Sequence, residues 1–165
     1  MLNAQDIAKF FFYLDKDNRL FPYNDIVELQ GSTMYIGNVR LNKYLHIAQN
    51  LYIAMYGKEL FSNDMYAYKN GAIVKDVQIN YQALKRDEYN PSAINDETKA
   101  FLYKIYKILE NAPLDDLIKI SHEDPEWEEK VSAFNIKQKM NSLQKKEVYR
   151  DQYADTLLML ERLQA

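Results

Sequence analysis

The sequence predicts a mostly α-helical single domain over residues 1–165, built from about six helices and one small extended element. Three observations carry that class. Between Val39 and Tyr56 the residues Leu41, Tyr44, Leu45, Ala48, Leu51, Tyr52 and Met55 recur at spacings of three and four, the period of one helical face. Shorter segments on both sides repeat this period. The turn-forming residues (Gln30-Gly31, Asn70-Gly71, Asn90-Pro91 and Pro113) fall between the periodic segments rather than inside them.

Taken in order, Asp6 to Leu14 reads as an opening helix with Ile7, Phe10, Phe11 and Leu14 on one face. Residues 15–37 are less regular, punctuated by Phe21-Pro22 and Gln30-Gly31-Ser32. Two short strands fit them, and so does a loop pinned by Phe21, Ile26, Val27 and Leu29. The 39–56 helix follows, with Asn38 placed to cap it and Gly57 placed to end it in a left-handed conformation. Leu45, Leu51 and Met55 are expected to be almost fully buried.

An extended piece is expected near 65–69, where Met65, Ala67 and Lys69 alternate with Tyr66 and Tyr68, and Asn70-Gly71 supplies the turn after it. Val74 to Leu84 reads as a helix carrying Val74, Val77, Tyr81 and Leu84. Another starts at Asn95 or Asp96, buries Leu102, Ile105, Tyr106 and Leu109, and stops at Asn111 and Pro113. A short helix bears Leu114, Leu117 and Ile118. After an acidic Glu123–Trp127 loop, a last helix at about 142–163 presents Tyr149, Tyr153, Leu157, Leu160 and Leu163.

Composition narrows the chemistry. No apolar run approaches the roughly 20 residues of a membrane helix, so no membrane association is expected. Cysteine is absent, which removes disulfides and thiolate metal sites and is compatible with the cytoplasm. A net charge of -3 makes broad nucleic-acid binding unfavourable. Fourteen tyrosines suit either a tyrosine-built core or a protein interface, and leave room for self-association.

Enzyme motifs are missing. There is no phosphate-cradling glycine loop, no paired-histidine metal motif and no ligand set for a cofactor, so a non-enzymatic protein without cofactors is expected. Ser121 and His122 are neighbours in sequence, which does not bring their side chains together. A hydrolase using His122 and the nearby acids is the weakest alternative. His46, Gln49 and Asn50 share one helical face opposite the apolar stripe, suiting a partner contact or a solvated surface. Lys137, Lys139, Lys145, Lys146 and Arg150 could contact phosphates, the basis of an alternative reading as a DNA-binding regulator.

The segment Leu41 to Val77 also resembles the Panacea domain, the SocA-like antitoxin domain found in prophage-encoded, GepA-like phage-associated proteins. The family's leucine-rich helix start and alanine-glutamine step match Leu41-Asn42-Lys43-Tyr44-Leu45-His46 and Ala48-Gln49. Its glycine-lysine and leucine-phenylalanine pairs match Gly57-Lys58 and Leu60-Phe61. Its alanine-tryptophan and tyrosine-glycine-proline-valine turn correspond to Ala67-Tyr68 and Asn70-Gly71-Ala72-Ile73-Val74, and Ser121-His122-Glu123-Asp124 with Trp127 resembles a later element. Tyr68, Asn70 and Ala72 depart from the family's tryptophan, tyrosine and proline, and Ala72 should leave the turn less rigid.

The resemblance implies a cytoplasmic, non-enzymatic protein that neutralises a cognate protein toxin by direct binding, encoded on a prophage or mobile element. Some relatives deliver the toxin to a protease system instead. The expected contact residues are Gln49, Tyr66, Tyr68, Asn70, Gly71, His122 and Trp127. Alternatively, Gly71 merely permits a tight backbone path and the tyrosines fill the core.

Overall fold

The computed structural model describes residues 2–131 and 137–163. Its organising element is helix α2 (Ile36–Tyr56), against which the second hairpin and five other helices pack. Residues 41–50 of this helix are buried without exception. A helix buried on all sides needs apolar groups on more than one face, and Ile47 and Ile53 supply them away from the stripe. Gly57 ends it at φ 70°, donating its N–H to Ile53, as expected. The start differs: Asn38 lies inside the helix, because Ile36 N–H bonds Asp25 and the turn begins there.

Helix α1 (Ala4–Leu14) is capped by Asn3, whose side chain accepts from Asp6 N–H, and buries Ile7, Phe10 and Phe11. The stretch after it is held by Asp15, whose carboxylate accepts from the N–H groups of Leu20 and Phe21. Of the two forms open for residues 15–37, the pair of strands is found: β1 (Ile26–Leu29) and β2 (Ser32–Tyr35) form an antiparallel hairpin. Its two-residue loop puts Gln30 and Gly31 at φ 49° and 82°, the left-handed geometry that matches strand twist.

Strand β3 (Met65–Tyr68) confirms the extended element, and its alternation is visible in the burial of Met65 and Ala67 against half-exposed Tyr66 and Tyr68. The next segment departs from expectation. Gly71–Val74 is strand β4, antiparallel to β3 with Tyr68 opposite Gly71, so the loop residues are Lys69 and Asn70. The anticipated 74–84 helix becomes two short ones, α3 (Lys75–Gln78) and α4 (Tyr81–Arg86). Val74, Val77, Tyr81 and Leu84 are still buried, which is why a single helical period was legible across them.

Helix α5 (Asp96–Leu109) is capped by Asn95 and buries Leu102, Ile105, Tyr106 and Leu109 as predicted. Helix α6 (Leu114–His122) follows Pro113. The acidic stretch is not a loop. Asp124 caps a further helix, α7 (Pro125–Lys130), with proline at its start. Strand β5 (Gln138–Lys139) adds to the sheet in the order β4-β3-β5. The last predicted helix is broken into a 3-10 turn (Ser142–Lys145), α8 (Lys146–Gln152) and α9 (Ala154–Arg162), with the break at Tyr153.

Nine α-helices thus stand among the described residues where about six were expected. Two predicted helices are divided and one arises from the acidic stretch. The mostly α class holds, with two small antiparallel sheets, and one core cluster joins residues from Ala4 to Leu160. Met55 corrects the burial expectation. Leu45 and Leu51 are 0% and 1% exposed, whereas Met55, at the last turn of α2, is 38% exposed. No helix among the described residues is long and apolar enough to cross a membrane.

Candidate functional site

Polar side chains on the buried turns of α2 meet the α6–α7 corner. Lys43, His46 and Asn50 lie three and four apart, and each is 1% exposed or less. His46 Nε2 stands 2.5 Å from Asp124 Oδ2, and His46 Nδ1 is 3.3 Å from Ser121 Oγ. Asn50 Nδ2 donates to Asp124 at 3.1 Å and lies 3.2 Å from the Tyr153 hydroxyl. Tyr149 OH donates to Asp124 Oδ1 at 2.7 Å, and Glu126 N–H caps onto the same oxygen at 2.9 Å.

Asp124 is therefore the hub that ties α2, α7 and α8 together. Burial alone would raise its pKa. The hydrogen bond and charge of His46, with hydrogen bonds from Tyr149 and Asn50, outweigh that and hold the carboxyl below its ordinary value. Burial, then the adjacent Asp124 carboxylate, pushes the Tyr149 phenol up, keeping it a donor.

Ser121, His46 and Asp124 are the residue types of a hydrolytic triad, but the wiring is reversed and closed. Serine sits at Nδ1 and aspartate at Nε2, and the three are 0%, 1% and 0% exposed. A substrate would have to displace packed core to reach Ser121 Oγ. The arrangement can order elements; it offers no opening for acyl transfer. His122, the sequence neighbour of Ser121, takes no part in it.

The cluster also props up the second hairpin. Lys43 Nζ reaches across to donate to the Asn70 carbonyl. Gly71 takes φ 125°, and a Cβ there would strike both Lys43 Nζ and Ser121 Oγ, so glycine is demanded by conformation and by close approach together. Asn42 Oδ1 accepts from Val74 N–H at 2.8 Å, covering the outer edge of β4. On the other side Trp127 Nε1 donates to the Tyr68 carbonyl at 2.7 Å. His122 stacks flat on Trp127, centroids 4.3 Å apart, and burial followed by the nearby Lys43 charge lowers its pKa.

The structure therefore gathers Tyr68, Asn70, Gly71, His122 and Trp127 at one hairpin, with Tyr66 two residues along the same strand face. Gln49 is the correction. It is 1% exposed, accepting from Leu60 N–H and donating to the Phe61 carbonyl, so it holds the chain after α2 rather than facing a partner. The whole His46, Gln49 and Asn50 face, read as a contact patch or a solvated one, is core. Sequence reasoning missed Lys43, Asp124, Tyr149 and Tyr153. The available signal was the polar row Lys43, His46 and Asn50 at helical spacing inside a helix apolar on more than one side.

The basic segment is largely committed within the chain. Lys139 pairs with Asp64, Lys145 with Glu129, and Arg150 with Glu147 while also donating to the Ala54 carbonyl. Lys137 stands 5.0 Å over the Tyr68 ring.

Lys43 gives a direct test of this arrangement. Burial pushes its ammonium down to about 8 from the usual 10.5. The cost of holding the charge is present in full below about pH 8 and is relieved as pH rises toward 10.5. Urea unfolding should therefore show rising stability between about pH 8 and 9.5, before tyrosines titrate. Lys43→Met should lose that slope, whatever the loss of the bond to Asn70 does to the stability at pH 7. A methionine variant that keeps the slope would contradict this assignment.

A helical scaffold that holds a surface hairpin on a buried polar cluster is the class of protein this geometry defines. A family model, antitoxin SocA-like, Panacea domain, matches residues 41–128. That is more than half of the chain, and the chain belongs to this family. The matched stretch contains Lys43, His46, Gly71, Ser121, Asp124 and Trp127 and leaves out Tyr149 and Tyr153. No curated protein and no solved structure matches the chain.

Proposed function

We propose that this chain is a cytoplasmic antitoxin, carried on a prophage or mobile element, that neutralises a cognate protein toxin by binding it directly and performs no chemistry of its own. Membership of an antitoxin family supports the general role. The observation that carries the binding mode is the split between what is buried and what is presented. Ser121, His46 and Asp124 are sealed, while the loop they support offers exposed Lys69 and half-exposed Tyr68 and Asn70. Polar groups held at a surface turn by a rigid interior suit recognition, because little ordering remains to be done on binding.

The experiment is coexpression with the toxic reading frame expected beside this gene, followed by copurification. Rescue of growth with a stable complex supports the reading, and rescue without a complex would point to delivery to a protease. Tyr68→Ala and Asn70→Ala should keep the melting transition, and at least one should weaken binding by more than about 1 kcal/mol. If every loss of binding tracks a loss of stability, the hairpin is scaffold.

A further inference from the structure

The two hairpins face one another across an open cleft of about 390 Å³, walled by Ser32 and Met34 on one side and Tyr68, Lys69 and Ile73 on the other, with Lys137 at the rim. Its charge is unlike that of the molecule. The protein carries a net -3, yet both charged side chains lining the cleft are lysines, and among the described residues no carboxylate lines it. The acids gather elsewhere: Asp6, Asp64, Asp76 and Asp87 border a separate open depression with a single lysine, Lys9. The charged lining of the cleft beside the loop that the buried cluster holds is thus purely cationic.

We propose that this cleft receives an extended, acidic segment of the partner protein. Both walls end in four-residue strands, each about 13 Å long at roughly 3.3 Å per residue, the reach of three or four extended residues. Met34 and Ile73 give such a segment an apolar contact on each wall, while Lys69 and Lys137 meet its carboxylates. Exposed lysines at a rim act mainly by steering and by selecting the sign of the partner. A nucleic acid fits less well. Lys137 already lies over the Tyr68 ring that a base would stack upon, and Lys139, Lys145 and Arg150 are paired with acids.

The inference rests on the reading of this chain as a protein-binding antitoxin, and its test runs without the toxin. Three fluorescein-labelled ligands are titrated into the full chain: an alternating aspartate-leucine dodecapeptide, the matching asparagine-leucine peptide, and a single-stranded oligothymidylate. The acidic peptide should bind about tenfold or more tightly than its amide counterpart and weaken as salt is raised. Lys69→Glu with Lys137→Glu should reduce that binding about tenfold at unchanged melting temperature, since both positions are exposed. Lys16→Glu, in the turn after α1 and outside the cleft, should change it by less than about twofold. Equal binding of acid and amide, binding indifferent to the two lysines, or lysine-dependent preference for the oligothymidylate would each overturn the proposal. If the peptide result fails while coexpression still rescues growth, the cleft assignment falls and the antitoxin reading stands. If rescue fails while the acidic peptide binds through Lys69 and Lys137, the reverse holds.

Discussion

Asp124→Ala is expected to cost about 3–5 kcal/mol, the loss typical of removing one partner from a buried charged network. The carboxylate is 0% exposed and accepts from His46, Asn50, Tyr149 and the Glu126 N–H, so alanine leaves four donors without their acceptor in the core. Urea denaturation at pH 7 measures it. Asp124→Asn keeps the shape and removes the charge, and its deficit should depend on pH. Because the folded carboxyl is held below its ordinary value of 3.8, its stabilisation is complete above that value and is lost as pH falls beneath it. The gap between wild type and Asp124→Asn should therefore be widest near neutrality and shrink below about pH 4. A gap that is the same at pH 3 and pH 7 would show that the charge contributes nothing.

Leu45→Ala should cost about 2–5 kcal/mol, while Met55→Ala, ten residues along the same stripe, should cost less than about 1 kcal/mol. Leu45 is fully buried in the middle of α2, where removing three carbons leaves a cavity that surrounding helices cannot collapse into. Met55 sits where the helix leaves the core and is more than a third exposed, so truncation removes few contacts. The upper part of the Leu45 range would by itself unfold a domain of ordinary stability. Paired thermal melts of the two variants decide this, and comparable losses would mean that the helix end is covered in solution.

Much of the fold was legible because its signals are local. The period of α2, the Asn95 cap of α5, the Gly57 stop and the alternation through Met65–Tyr68 each follow from a few neighbouring residues acting on their own backbone. The hairpin residues Tyr68, Asn70 and Gly71 and the His122–Trp127 pair were legible from family resemblance, and the structure places them together. The misreadings share a cause. Val74 to Leu84 kept a helical burial rhythm while pairing Gly71–Val74 with β3, since strand pairing is decided by a partner chain segment rather than by periodicity. The last helix breaks at Tyr153, where Tyr149 and Tyr153 both send hydroxyls into the buried network around Asp124.

By itself the sequence determined a mostly helical chain organised on residues 39–56, its stop at Gly57, the cap that starts α5, and the family. These rest on propensity, spacing and turn chemistry, which act over a turn or two of backbone. Only the tertiary structure decided what the polar residues of α2 do. His46 and Ser121 lie 75 positions apart, and Asn50 and Tyr153 lie 103 apart. A polar row on a helix reads as solvated until other elements close over it. Burial then makes each hydrogen bond obligatory, because an unpaired polar group in the core costs more than the bond is worth in water. That closure turns Gln49 from a surface candidate into a chain fastener and Lys43 into the prop beneath Asn70.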